Sequence, residues 1–260
     1  MTLPAPHPGL RASVVVPAHD EEDLVEACLE ALAHQRGVNR QEYEILMVLD
    51  DCNDATEARA RGVAKRYSDL RMYFIDGPGK GSGPARRAGM EAACARLLGL
   101  GRPDGLICST DADSEVAQDW LVAQIEAAAN GAVAIGGRIE LPDDGSLPQE
   151  IARWHADRGR QRQRELASAP GTAEHWQFSG ASLALTAKVY RKVGGLEPRA
   201  SLEDEHLERV LREQGIPIDR LLSVRVTTSA RLVGRARRGL AYDLAREADR
   251  RSGISNQPET

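Results

Sequence analysis

The chain has 260 residues, enough for one large or two small domains with a sizeable core. Hydrophobic residues make up 42% and charged residues 28%, which excludes disordered, collagenous and disulfide-framed chains. A formal charge of -5, from 34 basic and 39 acidic residues, argues against a nucleic-acid binder and leaves room only for a local basic patch.

No run reaches the roughly 18 apolar residues of a membrane span, and even Ala92 to Gly101 is broken by Arg96. The first nine residues show no charged n-region or apolar h-region, so a cytoplasmic location is expected. Cys28, Cys52, Cys94 and Cys108 are widely spaced, form no C-x-x-C pair, and read chiefly as small buried hydrophobes. Residues 1–11, with three prolines, and the polar residues 252–260 read as flexible ends.

Between them the chain alternates. Ser13 to Pro17 is a β-branched run without polar alternation, as expected of a strand buried on both faces of a parallel sheet. Glu21 to Ala33 follows as a helix, with Leu24, Val25, Cys28, Leu29 and Leu32 on one side. Ile45 to Leu49 is the second strand, and a helix begins near Ala55 with Asp54 placed to cap it. Arg71 to Ile75 is the third strand; Pro84 suits the first turn of the next helix, which stops near Gly99 and Gly101. Leu106 to Thr110 is the fourth. Parallel neighbours need helical crossovers, so this alternation predicts a doubly wound, mostly parallel α/β sheet with ligands beyond the carboxyl ends of its strands. A helix over Trp120 to Ala129 and a strand over Ala132 to Ile135 continue the pattern. Further on come a charged helix over residues 149–168 above a cleft, an apolar run at Ser182 to Leu185, and a helix over Glu203 to Gln214.

Chemistry concentrates after the strands: Pro17 to Glu22, Asp50 to Asp54, Gly77 to Gly81, and Asp111-Ala112-Asp113, four loops expected on one rim. Asp111 and Asp113 stand at alternate positions past a strand, so both carboxylates can hold a hard divalent cation such as Mg²⁺ or Mn²⁺. Lys80 in its glycine setting, with Arg86 and Arg87 at a helix start, offers cations and backbone N–H groups to phosphate; a pair of surface cations is the plainer reading of the two arginines.

Four segments, Val-Val-Val-Pro-Ala-His-Asp-Glu-Glu (14–22), Val-Leu-Asp-Asp-Cys-Asn-Asp-Ala-Thr (48–56), Ser-Thr-Asp-Ala-Asp (109–113) and Leu-Glu-Asp-Glu-His-Leu (202–207), resemble the family 2 glycosyltransferases of the GT-A fold over residues 13–216. The resemblance implies a single domain over 12–251, with a nucleotide-sugar-binding half (12–137) and an acceptor-side α+β half (138–251). It further implies that Pro17, Ala18 and Glu21 border the nucleotide, that Asp51 accepts from the base, commonly uracil, and that Arg86 meets the nucleotide within Ala85-Arg86-Arg87-Ala88-Gly89. Asp111 and Asp113 match its D-x-D motif, with Asp113 the direct metal ligand and Asp111 nearer the ribose. Glu203 and Asp204 match the acidic pair of the acceptor side, Asp204 being the candidate base, and Gly180 resembles the small-residue lining of the acceptor pocket.

The implied activity is metal-dependent transfer of one sugar from a UDP-linked donor to the hydroxyl of a small-molecule, lipid or glycan acceptor, with inversion. Asp20 replaces the usual asparagine of the first motif, and the Q-x-x-R-W signature of processive members is missing. His206 reads as a metal ligand or a helix-surface residue. The arginines from Arg231 to Arg251 suit acidic acceptors, an anionic membrane surface, another subunit, or plain solvent. A sugar nucleotidyltransferase would lead from its first strand into a glycine-rich loop with an arginine, and a phosphatase would place its D-x-D after that strand. The former, and a non-catalytic nucleotide-sugar-binding protein, are the alternatives to turnover of this kind.

Overall fold

The computed structural model describes residues 3–142, 145, 147–166, 171–199, 201–231 and 239–251. Strands β1 (Ala12–Ala18), β2 (Tyr43–Leu49), β3 (Met72–Asp76) and β4 (Leu106–Ser109) are parallel, in the order β3-β2-β1-β4. Every residue of β1, β2 and β4 is buried, which is why their sequences lack polar alternation. Val14 and Val16 pack among the residues of α1 (Val25–Ala33), α2 (Thr56–Arg66) and α4 (Trp120–Ala129); Val15, Leu46 and Val48 face α3 (Ser82–Gly99). Pro17 sits two residues past Val15, the last β1 residue paired with β4, and on the side facing β4, so its missing N–H removes no ladder bond.

The sheet does not stay parallel. β7 (Leu183–Thr186) joins β4 antiparallel, followed by β6 (Ala134–Glu140), β8 (Asp219–Thr228) and β5 (Ser114–Val116), for an eight-stranded order β3-β2-β1-β4-β7-β6-β8-β5. The expected boundary at 137/138 falls inside β6, at the register shift between Gly137 and Arg138, so both halves share one continuous sheet. β5, β8 and α6 (Ala187–Lys192) were not expected from the sequence. β8 nevertheless carries a period of two: Val224, Val226 and Thr228 are buried while Arg225 and Thr227 are exposed.

Residues 3–11 are not a loose end. Leu10 is buried, Arg96 donates to Pro4 O at 2.6 Å, and Arg102 donates to Pro8 O at 2.7 Å. Arg96, the charge that interrupts the apolar run of α3, makes a bidentate pair with the fully buried Glu44 at 2.7 and 2.6 Å, and Ser13 also donates to Glu44. Helix α1 starts at Val25 rather than Glu21, and the Glu21 and Glu22 N–H groups ahead of it bond across to Thr56 Oγ1 and Asp54 Oδ2. Helix α8 (Leu240–Arg251) packs Leu244 against Ile151 of α5 (Gln149–Glu165), so the Arg-rich stretch is half docked rather than wholly solvated. Arg235, Arg237, Arg238 and the expected tail 252–260 lie outside the described residues.

Two substitutions test this packing. A Cβ on Gly89 would meet Val15 Cγ1 at 2.4 Å and Val48 Cγ2 at 2.9 Å. Gly89→Ala, which gains about 1 kcal/mol in an open helix, is therefore expected to lose about 1–3 kcal/mol net in urea unfolding. His175 is buried with Nδ1 accepting from Gln177 N–H, and burial pushes its imidazole down to about 4. Because the folded state resists this proton, its contribution to stability is lost as pH falls from the ordinary histidine value of 6.5 towards 4. Melting curves across that window should show wild type falling more steeply than His175→Gln.

Candidate active site

The loops that follow the parallel strands are tied to one another by side chain to backbone bonds. Asp50, buried at the end of β2, accepts from Gly79 N–H at 2.7 Å and Gly81 N–H at 2.8 Å. It shapes the glycine loop before α3, and a Cβ on Gly77 would meet its Oδ1 at 2.5 Å. Asp20 accepts from Asn53 N–H at 2.7 Å, joining the first loop to the second; the carboxylate that replaces the usual asparagine is thus a loop tie. Asp54 accepts from both Glu22 N–H and Thr56 N–H, the second bond steadying the start of α2.

Arg86 is the centre of the site. It is 3% exposed, and its Nε donates to Glu203 Oε1 at 3.0 Å, Nη1 to Ser109 Oγ at 2.6 Å and Gly180 O at 3.0 Å, and Nη2 to Asp111 Oδ1 at 2.7 Å. Burial opposes its charge, but Asp111 and Glu203 outweigh this and hold the guanidinium above its usual range. Glu203 is itself buried; desolvation raises its carboxyl against the pull of Arg86. Gly180 must be glycine here, since a Cβ would meet the guanidinium at 2.5 Å. Its N–H donates to Asp204 Oδ2 at 3.0 Å, while Glu205 N–H donates to Asp204 Oδ1 at 2.8 Å, so Asp204 is oriented at the start of α7 (Glu203–Glu213).

Asp113 has a different partner. Arg231 makes a bidentate pair with Glu21 at 2.9 and 2.7 Å and reaches Asp113 Oδ2 at 2.8 Å. The Asp113 carboxyl is pushed up to about 6, first by burial and then by Asp111; Arg231 works the other way and Glu21 adds to the rise. Among the described residues no three His, Cys, Asp or Glu side chains converge on a metal position. A cation here would therefore rest on Asp111 and Asp113 and draw its other ligands from a bound diphosphate. The donor set fits such an ion: Asp111 and Asp113 are hard oxygen ligands that line the same cleft.

Asp111, Asp113, Arg86, Gly180, Glu203, Asp204 and Arg231 all line one cleft of about 1010 Å³. Its far wall is α5, which presents Trp154, His155 and Arg158, together with α8 and the outward face of α7. Cys28 is drawn into the structure from behind, its thiol donating to Asp111 O.

The profile of glycosyl transferase family 2 matches residues 13–183. The chain belongs to this family. It is 32% identical over 153 residues to the dolichyl-phosphate beta-glucosyltransferase of Drosophila melanogaster, covering 56% of this chain and 46% of that protein. It is 27% identical over 140 residues to glycosyltransferase AglE of Haloferax volcanii, covering 53% and 42%. The chain thus spans under half the length of these curated relatives. Its GT-A fold is similar to that of S. aureus TarS 1-349 in complex with UDP-GlcNAc (TM-score 0.64, 15% identity, 92% of this chain and 65% of that one). It is also similar to mannosyltransferase PcManGT from Pyrobaculum calidifontis in complex with GDP-Man and Mn²⁺ (TM-score 0.64, 18% identity, 98% and 68%).

Measured against the expectations for a member of this family, the candidate residues divide. Arg86, expected to meet the nucleotide, is turned inward and spends its donors on Asp111, Glu203, Ser109 and Gly180; Arg87 is the surface cation, 3.4 Å from Glu91. Glu203, expected against the acceptor, is engaged with Arg86 as well as lining the cleft. Pro17 and Ala18 are buried at the end of β1, and Glu21 faces Arg231. Asp51, at φ 57°, and Lys80 are exposed on the strand-end rim, outside the lining of the large cleft. His206 Nε2 lies 2.8 Å from Glu197. Sequence reasoning missed Asp50 and the inward turn of Arg231. The paired Asp50-Asp51 was a signal for the former; nothing local distinguishes Arg231 from its neighbouring arginines.

Removing the Arg86 charge strands Glu203 and Asp111 together. Arg86→Met should cost about 3–5 kcal/mol in urea unfolding, the range for breaking a buried ion pair by deleting one partner. Arg87→Met should fall within about 0.5 kcal/mol of wild type.

Proposed function

We propose that the chain transfers one sugar from a nucleoside diphosphate donor, UDP-linked, to an acceptor hydroxyl with inversion, assisted by Mg²⁺ or Mn²⁺. The observation that carries this reading is the Arg86 network. One buried guanidinium ties Asp111 of the carboxylate pair to Glu203, next to Asp204, so that donor-side acids and a cleft-facing carboxylate keep a fixed relation across one cleft. The names of the relatives and the nucleotide sugars bound by structural neighbours of the same fold support it.

In this reading Asp113 and Asp111 hold the metal, which when bound supplies positive charge to the departing diphosphate. Pro17, Ala18, Glu21, Asp51 and Lys80 form the donor rim: Asp51 accepts from the N3–H of uracil, and the Lys80 ammonium faces phosphate, while the Gly79 and Gly81 N–H groups stay with Asp50. Arg86 is a positioning residue that orients Asp111 and Glu203. Asp204, aligned by the N–H groups of Gly180 and Glu205, takes the proton of the acceptor hydroxyl as its oxygen bonds to the anomeric carbon and the bond from that carbon to diphosphate breaks. Gly180 and Glu203 shape the acceptor side. The acceptor itself is defined only as a hydroxyl compound that fits the cleft.

The test combines binding and turnover. Calorimetry should find UDP binding dependent on Mn²⁺ and lost in Asp113→Ala; equal affinity with and without metal would remove the metal from the reading. With a turned-over acceptor, Asp204→Asn should lower kcat by about 10²- to 10⁴-fold while UDP binding survives. The product linkage, read by NMR, should be opposite in anomeric configuration to the donor. Retention, or a near wild-type rate in Asp204→Asn, would return Asp204 to a helix-start carboxylate.

A further inference from the structure

We infer that Arg231 is a built-in counter-ion that holds the metal-binding carboxylate until a nucleoside diphosphate arrives, making metal and nucleotide bind as a pair. The inference rests on the metal role given above to Asp113. Each aspartate of the D-x-D pair has its own arginine, yet the two arginines are held differently. Arg86, with a side chain 4% exposed, is anchored to four partners on three other segments of the chain and has no second place to go. Arg231, 27% exposed, lines the cleft, and its described side-chain partners are two carboxylates, Glu21 and Asp113.

The Arg231 guanidinium stands 2.8 Å from Asp113 Oδ2, where it uses the oxygen lone pairs that a metal ion would need. A divalent cation on Asp113 is repelled by a guanidinium at that distance, so loading the metal means moving Arg231 off this carboxylate. Glu21, which accepts from both Nη1 and Nη2, then retains it. A diphosphate reverses the balance, because its oxygens serve both as metal ligands and as a planar-fork partner for the freed guanidinium. Without diphosphate, the metal must outcompete a charge-assisted bond and leave a cation beside a cation. With diphosphate, every charge has a partner. Arg231 thereby separates from the other arginines of the C-terminal stretch, and acts on the donor side.

The test measures Mn²⁺ binding by electron paramagnetic resonance on the full chain, with and without UDP, for wild type, Arg231→Gln and Arg231→Lys. A neighbouring charge within 4–6 Å shifts the proton affinity of a carboxylate by about 10- to 1000-fold, and a metal competes for the same lone pairs. Arg231→Gln should therefore bind Mn²⁺ alone at least about 10-fold more tightly than wild type, while its UDP affinity in saturating Mn²⁺ falls. Arg231→Lys keeps the charge and should stay near wild type for Mn²⁺ alone, which separates charge from packing. Equal or weaker Mn²⁺ binding by folded Arg231→Gln, in a protein whose wild type does take up Mn²⁺ with UDP, overturns the inference and leaves the proposed function standing. Failure of wild type to take up Mn²⁺ even with UDP overturns both.

Discussion

A single buried guanidinium, that of Arg86, sets the relation between the two sides of the cleft. A charge in this position is expensive to desolvate, and the structure offsets that cost by surrounding it with Asp111, Glu203, Ser109 and Gly180. These partners come from β4 with the loop past it, from the segment leading into β7 and from the start of α7, three segments far apart in sequence. Satisfying one side chain thus ties three pieces of chain to α3. It also dictates one residue choice that no local pattern explains, glycine at 180, where a Cβ would meet the guanidinium at 2.5 Å.

The rim of the sheet obeys the same economy. Backbone N–H groups released where β-strands end need partners, and Asp20, Asp50, Asp54 and Thr56 supply them from the neighbouring loop. Each tie is local chemistry with a non-local effect, since it fixes the height of one loop relative to the next. The glycine loop follows Asp50 in this sense: Gly79 at φ 65° and Gly81 at φ 96° adopt left-handed backbone while presenting N–H groups to one carboxylate.

The distant wall of the cleft is less charged at its root than its sequence suggests. Helix α5 is rich in arginine, yet Ile151 anchors it to Leu244 of α8, and its Trp154, His155 and Arg158 turn towards the cleft. Arg158 lies 5.0 Å from the centre of the Trp154 ring and pairs with Asp243 of α8 at 3.4 Å. Apolar anchoring sets the position of the wall, and the charged residues adjust its surface.

The first four strands and their helices were legible because a strand buried on both faces must be continuously apolar and a parallel neighbour must be reached through a helix; Val14 to Val16 and Ile45 to Leu49 leave little choice. Asp111 and Asp113 were legible for a related reason, since a strand end points alternate residues past the rim. The acceptor half was less so. β5 has three residues, below the length at which periodicity speaks, and β8 pairs with β6 and β5, partners far away in sequence. The sequence by itself determined a doubly wound core, a rim of acids and glycines, and the family to which these belong. Only the tertiary structure decided that Arg86 faces inward, that Asp50 rather than Asp51 holds the glycine loop, and that Arg231 alone of its described neighbours turns to Glu21 and Asp113. The reason is physical. Apolar burial follows from local periodicity, whereas the partner of a buried charge is whichever opposite charge the fold brings within 3 Å, and nothing in the spacing of residues along the chain encodes that distance.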